Sequence, residues 1–115
     1  MAQTNISTRF TTSDSVVLLV DHQTGTLDWV RSLPKETVIA SCRVLARMAA
    51  DYSMPLILTT TMEEYVGSTI PDLQEVAREA FDARFKRGGE LSCWDDPALK
   101  AGVEKNGEKI LSWRA

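Results

Sequence analysis

The hydrophobic positions fall into short continuous runs separated by one long amphipathic stretch. Ser15-Val16-Val17-Leu18-Leu19-Val20 is apolar without alternation and rich in β-branched residues. Such a run fits a strand covered on both faces, as in a parallel sheet. Asp21-His22-Gln23-Thr24-Gly25 ends it with polar and turn-forming residues. After Pro34 the period changes: Val38, Cys42, Leu45, Ala49 and Tyr52 recur at intervals of four and three, the stripe of an amphipathic helix. Proline costs little in a first turn, where its missing N–H would have no intrahelical partner. Pro55 then introduces Leu56-Ile57-Leu58-Thr59-Thr60-Thr61, a second buried strand. Strand, helix and strand make a βαβ unit, whose crossover is right-handed almost without exception. The fold class is α/β.

The second half is more broken. Met62–Pro71 reads as a polar loop containing Gly67, and Leu73–Phe81 as a short helix. Ala83–Lys86 reads as a brief extended piece ahead of Gly88-Gly89. Asp95-Asp96-Pro97 offers carboxylates to free helix N–H groups, then a proline suited to the first turn, so Ala98–Lys105 is predicted helical with Asn106-Gly107 as its C-cap. Lys109-Ile110-Leu111 begins a third predicted strand. Residues 1–14, rich in Thr and Ser, read as a mobile arm, leaving 15–115 as the folded unit. Two βα units and a further strand would leave apolar strand faces and a sheet edge uncovered. The expectation is the N-terminal portion of a doubly wound parallel-sheet, three-layer α/β/α domain, truncated relative to the whole.

Composition narrows the function classes. The 115 residues suit one domain or part of one, and 43% hydrophobic with 25% charged residues is the mix of a globular protein and argues against intrinsic disorder. The net charge is −3 and no basic stripe appears, so no nucleic-acid partner is expected. The run at 16–20 is too short for a membrane span or a signal-peptide core, so neither membrane association nor export is expected. Cys42 and Cys93 then read as reduced thiols of a cytoplasmic protein. One His and two separated Cys are too few for a zinc site; no metal and no cofactor are expected.

Candidate chemistry gathers where strands end, because ligands of open parallel sheets bind beyond the carboxyl ends of the strands. Asp21 stands there as a potential general base, although spacing alone favours a turn former or N-cap. His22 beside it reads as a surface or turn histidine rather than a catalyst. Glu63 and Glu64 follow the second strand onto the same rim, where solvated loop acids are the simpler reading. Lys86 and Arg87 could hold Asp21 ionised or grip an anion; spacing alone favours two exposed charges beside a turn. Cys42 lies on the apolar helix stripe and reads as a core residue. Cys93 precedes Trp94 and two acids, with nothing nearby to lower its thiol pKa.

Read in order, these segments resemble the isochorismatase-like cysteine hydrolases, in particular the YcaC-type branch. The resemblance rests on Val17-Leu18-Leu19-Val20-Asp21-His22-Gln23, Leu58-Thr59-Thr60-Thr61-Met62-Glu63, Pro71-Asp72-Leu73, and Arg87-x-Gly89 followed by Trp94-Asp95, and it runs from about Val16 to Leu111. It implies a doubly wound α/β fold and a triad of Asp, a basic residue and a nucleophilic Cys that attacks an amide or related carbonyl in a small molecule. Asp21 matches the proton-accepting Asp. Arg87 matches the basic position when registered on Trp94, with Lys86 as rival. Gln23, Glu63 and Trp94 are implied as substrate-binding residues lining the pocket, and a homo-oligomer is implied for the complete protein. The two-His metal pattern of the nicotinamidase branch is absent. The family nucleophile follows the third strand in a segment like Ala-Gly-Val-Thr-x-x-x-Cys; here Lys109-Ile110-Leu111 runs into Ser112-Trp113-Arg114-Ala115, and neither Cys42 nor Cys93 takes that place. The expectation is an incomplete triad and no activity for this chain alone. A non-catalytic protein that binds full-length relatives or a small ligand is the alternative.

Overall fold

The computed structural model describes residues 11–88 and 95–106, together with the backbone of 109–114. Four parallel strands form one sheet: β1 (Ser15–Val20), β2 (Leu56–Thr61), β3 (Phe85–Arg87) and β4 (Lys109–Arg114), in the order β3-β2-β1-β4. The chain therefore builds outward from β1 through β2 to β3, then crosses back to lay β4 on the other flank of β1, pairing Ser15 with Lys109 through Val20 with Arg114. That reversal makes the carboxyl end of β1 a topological switch point, where open α/β sheets place ligands.

All six β1 residues are buried, because both faces are covered. Val17 and Leu19 join Leu58 under α1 (Thr24–Leu27), α2 (Lys35–Asp51) and α4 (Pro71–Val76), through Leu27, Val38, Cys42, Ala46, Ala49 and Leu73. Val16, Leu18 and Val20 join Ile57 against Leu99 and Val103 of α6 (Pro97–Asn106). The alternation along one strand supplies both layers, and each buried Leu or Val contributes roughly 1.5–3 kcal/mol. This is the three-layer α/β/α arrangement expected of the N-terminal portion of a doubly wound domain.

Strands β1 and β2 begin and end where the expected runs do. In α2 the buried stripe is Val38, Cys42, Ala46 and Ala49. Leu45 is only partly covered and Tyr52 is exposed, because the helix ends at Asp51 and Tyr52 becomes its C-cap. The expected loop 62–71 contains a helical turn, α3 (Glu63–Val66), and the expected single helix 73–81 is two, α4 and α5 (Arg78–Asp82), broken at Ala77. The extended piece expected at 83–86 is shifted to Phe85–Arg87 and pairs as a true strand, so the strand at 109–114 is the fourth rather than the third. At α6 the carboxylate of Asp96 accepts from the backbone N–H of Ala98 (2.9 Å) and Leu99 (3.2 Å), the capping expected there. Of the arm expected over 1–14, residues 1–10 lie outside the described part, and 12–14 form a turn into β1. No described helix is long and apolar enough to cross a membrane.

Candidate active site

Because all strands run the same way, the ends of β1, β2 and β3 deliver their following residues to one rim. At the end of β1 the backbone turns sharply: Asp21 has φ 60, a left-handed conformation that a non-glycine residue occupies at a cost of about 1–3 kcal/mol. The turn is held by the Thr26 hydroxyl, which donates to the Asp21 carbonyl (2.7 Å), and by the Asp21 N–H, which donates to the Thr59 carbonyl (3.2 Å). Asp21 is thereby kept within the protein, 7% exposed as a residue.

Two groups from other strands meet that carboxylate. Thr59 Oγ1 donates to Asp21 Oδ1 at 2.8 Å, and Arg87 Nη2 donates to Asp21 Oδ2 in a buried ion pair. Arg87 lies 66 residues away in sequence, and its side chain is 1% exposed. The register explains how it arrives: Thr59 pairs with Phe85 and Thr61 with Arg87, so these residues share the α6 face of the sheet. Lys86 alternates to the other face and is exposed. Of the two cations considered from sequence, Arg87 is the one brought to Asp21.

Gln23 is completely buried, and its amide is engaged with backbone. Its Oε1 accepts from Thr61 N–H (2.9 Å), while its Nε2 donates to Thr61 O (2.9 Å) and to Gly67 O. β1 leaves the sheet after pairing Val20 with Thr59, and the Gln23 amide then continues the ladder to Thr61 as a backbone peptide would. Glu63 is also tied up: its Oε2 accepts from Thr60 Oγ1 (2.6 Å) and Arg84 Nε (2.8 Å), and its Oε1 from Arg84 Nη2 (3.2 Å). The Arg84 hydrogen bond, foremost, holds the Glu63 carboxyl below its usual range. Trp94, the third expected pocket residue, lies outside the described residues, as does Cys93.

His22 is not the surface histidine that the sequence allowed: it is 2% exposed, and burial pushes its pKa down to about 4 against the opposing pull of Asp21. It is therefore a neutral imidazole at pH 7 and no second cation for Asp21. Cys42 sits in the core beneath α2, its Sγ donating to Ile39 O (3.2 Å), and burial above all raises its thiol to about 11. It is remote from nucleophile chemistry, as the apolar stripe implied. Among the described residues no group of three His, Cys, Asp or Glu could hold a metal ion. A cavity of about 600 Å³ lies at the far end of the sheet, between Met54, Pro55, Leu56 and the α4–α5 break at Ala77, away from Asp21.

Sequence reasoning missed Thr59 and Arg84. A signal existed for the first: a buried strand ending Thr59-Thr60-Thr61 carries hydroxyls that must find partners, and Thr59 and Thr60 give theirs to the two rim carboxylates.

The sheet order β3-β2-β1-β4, with helices on both faces, fits the doubly wound fold that the resemblance implied, and the fold can be compared with known proteins. No family model matches the chain. The probable hydrolase YcaC of Escherichia coli (strain K12) is 32% identical over 104 residues, which is 90% of this chain and 49% of that protein. A solved structure of YcaC from Pseudomonas aeruginosa, with hexane-2,5-diol and covalent acrylamide, superposes with a TM-score of 0.83 at 29% identity, covering 96% of this chain and 55% of the other. The E. coli YcaC structure, described as an octameric hydrolase of unknown specificity, gives 0.84 at 27% identity over 97% and 55%. The MAR1 ribonuclease of Caenorhabditis elegans shares the fold at 19% identity, with a TM-score of 0.69 over 92% and 52%. The chain thus spans about half the length of the relatives it matches. In sequence and in fold the chain is thus similar to the YcaC-type probable hydrolases over about half of their length.

Proposed function

We propose that Asp21 and Arg87 are the acid–base and electrostatic parts of a cysteine-hydrolase site acting on amide or related carbonyls of small molecules. The observation that carries this reading is the pair itself: a carboxylate and a guanidinium from strands 66 residues apart, buried together at the switch point, with Thr59 orienting the carboxylate. Such a pair is costly to build for stability alone, since desolvating two charges consumes most of their attraction. In the proposed chemistry Asp21 Oδ takes the proton of a thiol, the thiolate attacks the carbonyl carbon, and the same proton returns to the leaving group. Arg87 fixes the Asp21 carboxylate in place and puts positive charge beside the thiolate.

The thiol has to come from outside the residues gathered here, since Cys42 is locked in the core and the family places its nucleophile after the strand corresponding to β4. This chain alone is proposed to be inactive, and the small-molecule substrate and oligomeric assembly belong to the whole protein. Gln23 and Glu63, engaged with backbone and with Arg84, are proposed to shape the pocket wall rather than to bind substrate through their polar ends.

The test is a chimera joining this chain to the part of E. coli YcaC that it does not cover, assayed against a panel of small amides and esters. Hydrolysis by the chimera, none by the chain alone, and a loss of about a hundredfold or more in kcat/KM for Asp21→Asn are expected. A folded chimera whose hydrolysis survives Asp21→Asn would refute the assignment.

A further inference from the structure

The strand that carries Arg87 is only three residues long and flanks the sheet beyond β2. A strand so short has few ladder bonds to hold its register, and a slip by one residue sends every side chain to the opposite face. Here the consequence is specific. A slip would turn Arg87 away from Asp21 and bring its neighbour, Lys86 or Gly88, to that face instead.

Something must therefore fix the register, and the residues around the start of β3 supply it. Arg84 immediately precedes the strand. Its guanidinium grips the Glu63 carboxylate through Nε (2.8 Å) and Nη2 (3.2 Å), donates through Nη1 to Phe81 O (2.9 Å), and stacks on the Phe81 ring with 4.1 Å to the centroid. Glu63 is held from the other side by Thr60 of β2 (2.6 Å). The pair is 14% and 22% exposed, far less than the surface pairs Arg43–Asp72 and Lys35–Asp28, so solvent screens it less. At the far end of the strand the Met62 N–H, one residue before Glu63, donates to Arg87 O (3.2 Å). The turn after β2 thus holds β3 at both ends.

We infer that Glu63 and Arg84 are positioning residues, a register lock that presents Arg87 rather than Lys86 to Asp21. Their importance for hydrolysis rests on the catalytic reading above, while the lock itself is a property of this chain. Arg84 is single-purpose in this respect: bidentate geometry fixes both distance and angle, which a lysine at the same place could not do.

Chemical footprinting of the purified chain tests the lock without any assay of activity. Phenylglyoxal reports Arg87, an amine-acylating reagent reports Lys86, and iodoacetamide at Cys42 reports opening of the core. Glu63→Gln and Arg84→Met are each expected to raise Arg87 modification about tenfold or more and to lower Lys86 acylation, with Cys42 alkylation unchanged. Arg84→Lys, which keeps the charge but loses the fork, is expected to fall between wild type and Arg84→Met. Arg43→Gln, which removes an exposed ion pair elsewhere, is expected to change none of the three. Arg87 protection that survives both Glu63→Gln and Arg84→Met overturns the inference. So does a parallel rise at Arg87, Lys86 and Cys42, which would mean that the pair holds the fold as a whole. An inverted Arg87/Lys86 pattern alongside a chimera that hydrolyses nothing would sink the catalytic reading and leave the lock standing.

Discussion

Asp21 and Arg87 stabilise one another only as a pair. With Arg87 gone, the carboxylate stays buried beside Thr59 with its main counter-charge missing, and breaking such a pair from one side costs about 3–5 kcal/mol. Arg87→Met should therefore lower the urea midpoint far more than Arg43→Gln, which removes an exposed pair. The double variant Asp21→Asn/Arg87→Met should recover much of the loss, giving a large coupling energy in a double-mutant cycle. Additive losses would mean that the two side chains do not depend on each other. Gln23 yields a second expectation at this scale. Gln23→Ala strips the buried partners from Thr61 N–H and from two carbonyls, and each buried polar group left unsatisfied costs about 1–3 kcal/mol. Equilibrium unfolding of that variant should show a loss above the range of a surface substitution; a value within about 0.5 kcal/mol of wild type would deny Gln23 its ladder role.

Among the elements, α1 and α3 are the ones that fix the rim, and they touch backbone to backbone. A Cβ on Gly25 would stand 2.7 Å from Val66 O, and Gly67 adopts φ 82 against the Thr24 side chain. Gly25→Ala must push α3 away and is expected to cost about 1–3 kcal/mol, read as a lowered Tm, with the Gln23–Gly67 contact loosened in amide exchange. An unchanged Tm would show that the two turns are not held in register. Legibility from sequence divides along the same line. β1 and β2 are continuous runs of six residues and α2 carries a helical period over more, so these three elements could be read directly. The short pieces from 63 to 87 carry no period of their own. α3 and the three-residue β3 are tied in place by Glu63–Arg84, Gln23–Gly67 and pairing to β2, contacts between residues distant in sequence. The rim was legible for a related reason: Asp21 abuts a strand end, whereas Arg87 could not be separated from Lys86 until the register was known, and Thr59 looked like an ordinary strand former.

At the scale of the whole molecule, the informative fact is the order β3-β2-β1-β4. Local pattern can say that 109–111 is a strand; only the packed sheet shows it returning beside β1 and making the end of β1 the switch point. Global stability should also depend on pH in a definite direction. His22 has a folded-state pKa of about 4 against an ordinary 6.5, so the folded form resists a proton that the unfolded chain accepts. The stability conferred is fully present above pH 6.5 and is lost as pH falls toward 4, on the order of 3 kcal/mol in all. Glu63, also depressed, adds a loss of the same sign at lower pH. Urea midpoints measured from pH 7 to pH 4 should therefore fall steadily, and less steeply in His22→Gln; a flat profile would mean that the imidazole is protonated within the fold. The central claim, that the Asp21–Arg87 pair serves a thiol nucleophile, is tested most directly by the pH dependence of iodoacetamide alkylation at the grafted cysteine of the chimera. With Arg87 beside it, that thiolate should form below the ordinary thiol pKa, and Arg87→Gln should move the midpoint upward by about one unit or more. A midpoint that is the same with and without Arg87 would contradict the account.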